Sequence, residues 1–269
     1  MPDNHYENPR LVSLYDLDSP WSIERDFYLS LAALPHQSIL DLGCGTGLLC
    51  NAYAENGHNV TGVDPSSAML DAGRRKPQGD KIEWVQSLAQ TYRSDQLFDL
   101  IVMTGHAFQV LLTDADISAT FAVMQSHLKP SGLVAFESRN PAIDWATRWH
   151  YDLFLQLPAG IVRESRTFLG MEDGRTTFEL RYQFPEQTLK SVSSLRFLCR
   201  SEIEMHLAAS GLRVEKLLGG WNAQPFDETS SLEMIFMARA SRSAPGVSKP
   251  DQLGALAWPA RGQYRTSSA

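Results

Sequence analysis

Cysteine is scarce: Cys44, Cys50 and Cys199 are the only thiols in 269 residues. No two form a C-x-x-C pair and three cannot close an even framework, so free thiols in a reducing, cytoplasmic setting are expected. Long apolar runs are missing too. Nothing approaches the ~20 residues of a membrane span, and MPDNHYENPR lacks the basic-then-apolar layout of a secretion signal. A membrane partner is therefore not expected. Positive charge is in deficit, with 24 lysines and arginines against 31 acids, a net charge of −7. Neutralising a phosphate backbone takes a surplus of cations, so a small molecule is expected as partner and a nucleic acid is not. No internal repeat is found. His127, His150 and His206 have no metal-ligand spacing, and no metal is expected.

What the chain does have is concentrated in residues 38–48, SILDLGCGTGL. Residues 38–42 read as a short buried strand with one carboxylate, Asp41, near its end. Gly43, Gly45 and Gly47 follow within five residues. Leu48 then opens a helical pattern through Leu49, Ala52 and Tyr53. Strand, glycine turn and helix make the first half of a nucleotide-type βαβ unit. Glycines suit a sharp turn that a ligand must approach closely, and free N–H groups at the helix start favour acceptor groups. The second half is NVTGVD, residues 59–64, a strand whose last carboxylate, Asp64, lies 19 residues after Gly45. An acid at that place accepts from a ribose diol, which implies an adenosine-bearing ligand. A dinucleotide site asks for G-x-G-x-x-G/A, and here Leu48 or Cys50 fills the last position. Asp41, two residues before the first glycine, suits a charged amino group better than a pyrophosphate.

Asp41, Gly43, Gly45 and Gly47 resemble, without a gap, the first motif D/E-x-G-x-G-x-G of the class I S-adenosylmethionine-dependent methyltransferases, small-molecule type. The resemblance covers about residues 35–140 by motif and extends to about 239 by element order. It implies an α/β fold: a Rossmann-like, mostly parallel seven-stranded sheet with an inserted antiparallel β cap after the fifth strand. It implies S-adenosyl-L-methionine as cofactor and S-adenosyl-L-homocysteine as product. On this likeness Asp41 receives the amino group, and Gly43, Cys44, Gly45, Thr46 and Gly47 give room and N–H groups. Asp64 clamps the ribose, while Pro65 and Met69 lie against the adenine. Ser87, Leu88 and Ala89 follow the third strand, with Leu88 where many relatives carry an acid. Met103, Thr104, Gly105 and His106 line the sulfonium side. A leading segment commonly folds over the cofactor mouth in this family, which makes Tyr15, Trp21 and Tyr28 candidate lid residues, with packing of a surface helix as the alternative for Trp21 and Tyr28.

Element order gives the expected organisation. Residues 1–34 form an N-terminal lid segment with a helix over 22–34 capped by Ser22. Residues 35–140 and 201–239 form the cofactor-binding core, in which FDLIVM (98–103) reads as a strand buried on both faces. Residues 141–200 form the cap. Its alternating runs at 161–169, 175–184 and 189–199 predict a three-stranded meander. A helix over 201–210 has Ser201 as N-cap and Glu204 closing a capping box, with Gly211 as its stop. Two strands, one antiparallel to the rest, end the sheet. Residues 240–269, rich in Ser, Pro, Ala and Gly, read as a flexible tail.

If the acceptor is a hydroxyl or protonated amine, His106 is the best-placed base, with loop closure as its structural alternative. Glu137, Arg139 and Asn140, after the fifth strand, are substrate-binding candidates. An arginine there suits a substrate carboxylate, or a cap-pairing role. Trp145, Trp149 and Tyr151 suit an acceptor pocket or a packed hinge. Monomer and homodimer both stay open. So do two other readings, a non-catalytic adenosyl-cofactor-binding protein and an NAD(P)-dependent oxidoreductase.

Overall fold

In the computed structural model, which describes residues 4–157 and 160–241, three short helices lead. They are α1 (Asn4–Glu7), α2 (Pro9–Asp18) and α3 (Ile23–Ser30). Strands and helices then alternate, except that β4 follows β3 with only a short 3-10 turn between them: β1 (Ser38–Leu42), α4 (Leu48–Glu55), β2 (Asn59–Asp64), α5 (Ser67–Arg74), β3 (Glu83–Gln86), β4 (Phe98–Met103), α6 (Asp114–Ser126) and β5 (Leu128–Arg139). After α7 (Trp145–Arg148) come β6 (Tyr151–Leu157), β7 (Gly160–Glu172), β8 (Arg175–Gln183) and β9 (Thr188–Arg196). The chain closes with α8 (Arg200–Ala209), β10 (Leu212–Leu218) and β11 (Glu233–Ala240). Among the described residues no helix is long and apolar enough to cross a membrane.

The alternating half gives one seven-stranded sheet in the order β10-β11-β5-β4-β1-β2-β3. Five strands are parallel, and β11 runs antiparallel to both its neighbours, β5 and β10. Ile39, Leu40, Leu42, Leu100, Ile101 and Val102 are buried on the central strands, as helices on both faces require. Successive strands run outward from β1 toward β3 and from β4 toward β5. The order thus reverses between β1 and β4, and the crevice at their carboxyl ends is where ligands of such sheets sit. Below that crevice the indole of Trp84 packs against three backbones. A Cβ added to Gly47, Gly62 or Gly73 would stand 2.2, 3.0 or 2.6 Å from it.

Residues 151–196 form a separate antiparallel sheet, β6-β7-β8-β9. It has four strands, not the expected three. The extra strand, β6, pairs with β7 from Tyr151↔Arg166 to Leu157↔Gly160. Its apolar residues fall on both faces, Phe154 outward and Leu155 inward, so alternation alone does not mark it. On β8 the alternation is clean: Thr176, Phe178, Leu180 and Tyr182 face inward. That inner face packs on Leu11 and Leu14 of α2, each worth roughly 1.5–3 kcal/mol on burial.

Several boundaries differ from expectation for local reasons. Helix α2 lies where the sequence reads as a broken loop; Asn8 caps it by accepting from Arg10 N–H at 3.0 Å, with Pro9 in its first turn. Helix α3 ends at Ser30 rather than 34, because Leu31 N–H turns back to Tyr28 and Leu34 is exposed. The capping box of α8 uses Cys199 and Glu202, not Ser201 and Glu204, with Cys199 N–H donating to Glu202 at 2.7 Å. Glu204 instead takes Arg200 at 2.8 Å. The expected tail lies, beyond Ser241, outside the described residues.

Candidate active site

The loop after β1 holds Gly43, Gly45 and Gly47 at φ +76°, +55° and +67°, all left-handed. Gly43 and Cys44 N–H groups donate to Val63 O at 2.7 and 3.0 Å, which ties the loop to the end of β2. Asp41 is 1% exposed. Its Oδ2 accepts from the Cys50 thiol at 3.3 Å, while Oδ1 is buried without a partner. Burial pushes its pKa up to about 7, against the opposing pull of the Cys50 hydrogen bond. A buried carboxylate oxygen left alone is costly, and a cationic donor is what satisfies it.

Asp64 is nearly buried and braces the loop: Oδ2 accepts from Gly45 N–H and Oδ1 from Ser66 N–H, both at 2.9 Å. Burial raises its pKa and those two N–H groups oppose the rise. Each oxygen keeps a second lone pair for a further donor. Helix α2 lies directly on this loop, and α1 lies beside it at Ser66. The Tyr15 ring is 3.6 Å from where a Gly45 Cβ would stand. Thr46 Oγ1 and Lys76 Nζ both donate to Asp16, and Ser66 Oγ donates to Tyr6 O at 2.6 Å. Trp21 is placed differently: it is exposed, and its indole N–H donates to Asp26 at 2.7 Å.

The remaining residues expected near the adenosyl group divide between surface and core. Pro65 O accepts from the Gln86 amide at 3.1 Å, and Leu88 is exposed beside Ser87, whose hydroxyl donates to Leu88 O. Met69, Ala89 and Met103 are buried, the last two within the sheet's main core. Thr104 O accepts from Ala107 N–H at 3.2 Å. Gly105, at φ +66°, has nothing within 4 Å of its Cβ position and donates its N–H to Glu24 at 3.2 Å.

At the carboxyl edge of β4 and β5 the second group of candidates converges. His106 takes a left-handed φ of +61°. Its N–H donates to Glu137 Oε1 at 2.5 Å, and its Nε2 lies 3.0 Å from Glu233 Oε2. Burial first, then the Arg139 charge, lower its pKa against the pull of Glu233. The ring is thus neutral, with Nε2–H assigned to the Glu233 bond and a lone pair left on Nδ1. Glu137 is fully buried and also accepts from the Tyr28 hydroxyl. Burial and then Glu24 hold its pKa well above the usual range. Arg139 donates to the Gln109 amide at 3.0 Å, and burial brings its pKa down to about 10. Asn140 commits its side chain to the fold: Nδ2 donates to Glu228 O and Ser231 O at 2.9 Å, and Oδ1 accepts from Ala142 N–H.

Sequence reading misses Glu24 and Glu233 at this edge, because they come from distant elements, and takes Tyr28 for a lid or packing residue. On the inner face of the cap it names Trp149 and Tyr151 but misses Glu164 and Arg166. Glu164 there is fully buried, accepts from the Tyr151 hydroxyl at 2.8 Å through Oε1, and leaves Oε2 without a partner. Burial, then Asp18, push its pKa up to about 7. The Arg166 guanidinium stands over Tyr151, Phe178 and Trp149, 4.8, 5.0 and 5.8 Å from their ring centroids. One signal existed: Val162, Glu164, Arg166 and Phe168 alternate along one strand, so two charges fall on its apolar face.

Residues 39–132 match the family model described as a methyltransferase domain. That stretch is similar to methyltransferase domains and stops before the antiparallel sheet. The chain's mostly parallel seven-stranded sheet with a separate antiparallel sheet has the fold of solved S-adenosylmethionine-dependent methyltransferases. A methyltransferase from Clostridium acetobutylicum superposes with a TM-score of 0.73 at 17% identity, covering 87% of this chain and 98% of that one. CalS10, an amino pentose methyltransferase from Micromonospora echinaspora, gives 0.68 at 20% identity, over 85% and 97%. At such identities the likeness is one of fold. A cypemycin N-terminal methyltransferase from Streptomyces is 32% identical over 109 residues, 40% of this chain and 44% of that protein. The chain thus matches less than half the length of this curated relative.

Proposed function

We propose that the chain is an S-adenosyl-L-methionine-dependent methyltransferase that acts on a small-molecule acceptor and releases S-adenosyl-L-homocysteine. The observation that carries this reading is Asp41 Oδ1, a buried acceptor without a partner at the mouth of the glycine loop. It fits the ammonium of the cofactor's amino-acid end, and Asp64 fits the ribose diol. Gly43 to Gly47, Pro65 and Leu88 offer the walls between them. The amino pentose acceptor in the name of one structural neighbour supports a small substrate.

S-adenosylmethionine supplies a methyl carbon already activated by the sulfonium charge. The chain's own work is alignment, exclusion of water and handling of one proton. Alignment alone can contribute about 7–11 kcal/mol. His106 Nδ1 takes the acceptor proton, worth ~10²–10⁴-fold, and Glu233 holds the ring's tautomer. Helices α1 and α2 and the cap keep water away.

Calorimetry tests this. S-adenosylhomocysteine is expected to bind the folded protein and NAD to leave it silent, with binding weakened at least ~10-fold in Asp41→Asn, which removes one charge-assisted contact. Binding of NAD but not of S-adenosylhomocysteine overturns the reading.

A further inference from the structure

Two arginines from different sheets share one indole. Arg139, the last residue of β5, carries its guanidinium 5.3 Å from the Trp149 ring centroid, and Arg166, on the inner face of β7, stands 5.8 Å from the same ring. Neither forms an ion pair among the described residues. Arg139 spends Nη1 on Gln109 and leaves Nε and Nη2 without an acceptor. Arg166 donates no hydrogen bond, although its Nε is buried. Guanidinium has five donors and no means of shedding its charge, so a half-buried fork without an acceptor calls for an anion. The rings around it supply attraction to the cation but no acceptor.

The charged groups facing the pair set which anion. Glu164 on β7 is fully buried with Oε2 free, and Asp18 of α2 acts on it. Glu233, Glu137 and Glu24 act on Arg139 from the core edge. Acids therefore outnumber the two arginines here, which disfavours a phosphate dianion and leaves directional hydrogen bonding from the two forks, rather than net charge, to hold a planar monoanion. Arg139 lies directly opposite Glu233 in the β5–β11 register, and Glu233 holds His106. An anion gripped here therefore sits one strand from the proposed base.

We propose that Arg139 and Arg166 bind a carboxylate of the methyl acceptor, so that the substrate class is a small carboxylic acid bearing the hydroxyl or amine that is methylated. This rests on the cofactor reading above and adds the acceptor's anchor. Bidentate pairing gives such a grip its orientation as well as its strength.

The test uses the full chain saturated with S-adenosylhomocysteine, with tryptophan fluorescence as readout and benzoate and benzamide as probes. Benzoate is expected to bind saturably and at least about tenfold more tightly than benzamide, and Arg166→Gln or Arg139→Lys to abolish that preference. Arg213→Gln, exposed on the edge strand β10, is expected to change benzoate affinity by less than about twofold. S-adenosylhomocysteine affinity, measured on each variant, reports that the fold is intact. Equal binding of the two probes, no saturable benzoate binding, or an unchanged preference in Arg166→Gln overturns the carboxylate anchor while leaving the cofactor reading standing. Failure of S-adenosylhomocysteine to bind the unmodified protein is the separate result that overturns the cofactor reading itself.

Discussion

Asp41 and His106 sit in opposite electrostatic situations, and each has a pH signature. The Asp41 carboxyl titrates near 7 in the folded chain against 3.8 ordinarily, because burial disfavours its charged form. The folded state then holds its proton more tightly than the unfolded state, so stability falls as pH rises from about 4 through 7. Asp41→Asn removes that penalty. The ligand-free variant is expected to melt several degrees above the unmodified protein at pH 8, for roughly 1–3 kcal/mol of relieved desolvation. Near pH 4 the two should melt together; scanning calorimetry at both pH values decides. His106 moves the other way: burial lowers its pKa below 6.5, so the acid limb of a kcat/KM profile should lie below that value. The Glu233 carboxylate is what pulls it back up. Glu233→Gln is therefore expected to shift the limb further to acid and to cost about tenfold in kcat. A limb that stays in place would leave His106 without its assigned role.

Among the elements, α2 has the widest reach. Its Leu11 and Leu14 are buried against Phe178, Leu180 and Tyr182 of the cap, while Tyr15 and Asp16 on the same helix touch the glycine loop. One short helix thus joins the cofactor loop to the sheet proposed to choose the acceptor. Leu14→Ala should cost about 2–5 kcal/mol through the cavity it leaves. Hydrogen exchange is expected to quicken in β7 and β8 well before β1 and β4, since the latter are buried between helices. Equal quickening in both sheets would mean that α2 supports the whole fold rather than the cap. This helix was hidden in the sequence because its apolar face has only three buried residues and the Ser19-Pro20 break follows at once.

Across the whole molecule, what could be read from the chain was what is local. β1, the glycines, α4 and β2 follow one another within 27 residues, and their chemistry depends on spacing that a linear reading preserves. The seven strands were legible from the same alternation, whereas β6 was not, because its pairing with β7 rather than its own pattern defines it. The acceptor side was harder to see. Glu233 meets His106 across 127 residues, and Arg166 and Arg139 reach the same Trp149 ring only once the cap has folded against the sheet. Charges that look solvated along the chain become neighbours there, and no short-range signal records it.

Trp84 has a consequence for the history open to such a chain. Its indole fills the space that side chains on Gly47, Gly62 and Gly73 would need, so three positions, in the glycine loop, on β2 and on α5, are tied to a fourth on β3. While the tryptophan stays, substitution at any of the three meets a ring. Replace it by a smaller residue and Gly73 is released, at the cost of a void beneath the glycine loop, while Gly62 still meets Cys44 Sγ at 3.1 Å and Gly47 is still held by its φ of +67°. Descendants are thus channelled: the ring and its glycines persist as a set, or the ring goes first and Gly73 alone drifts afterwards.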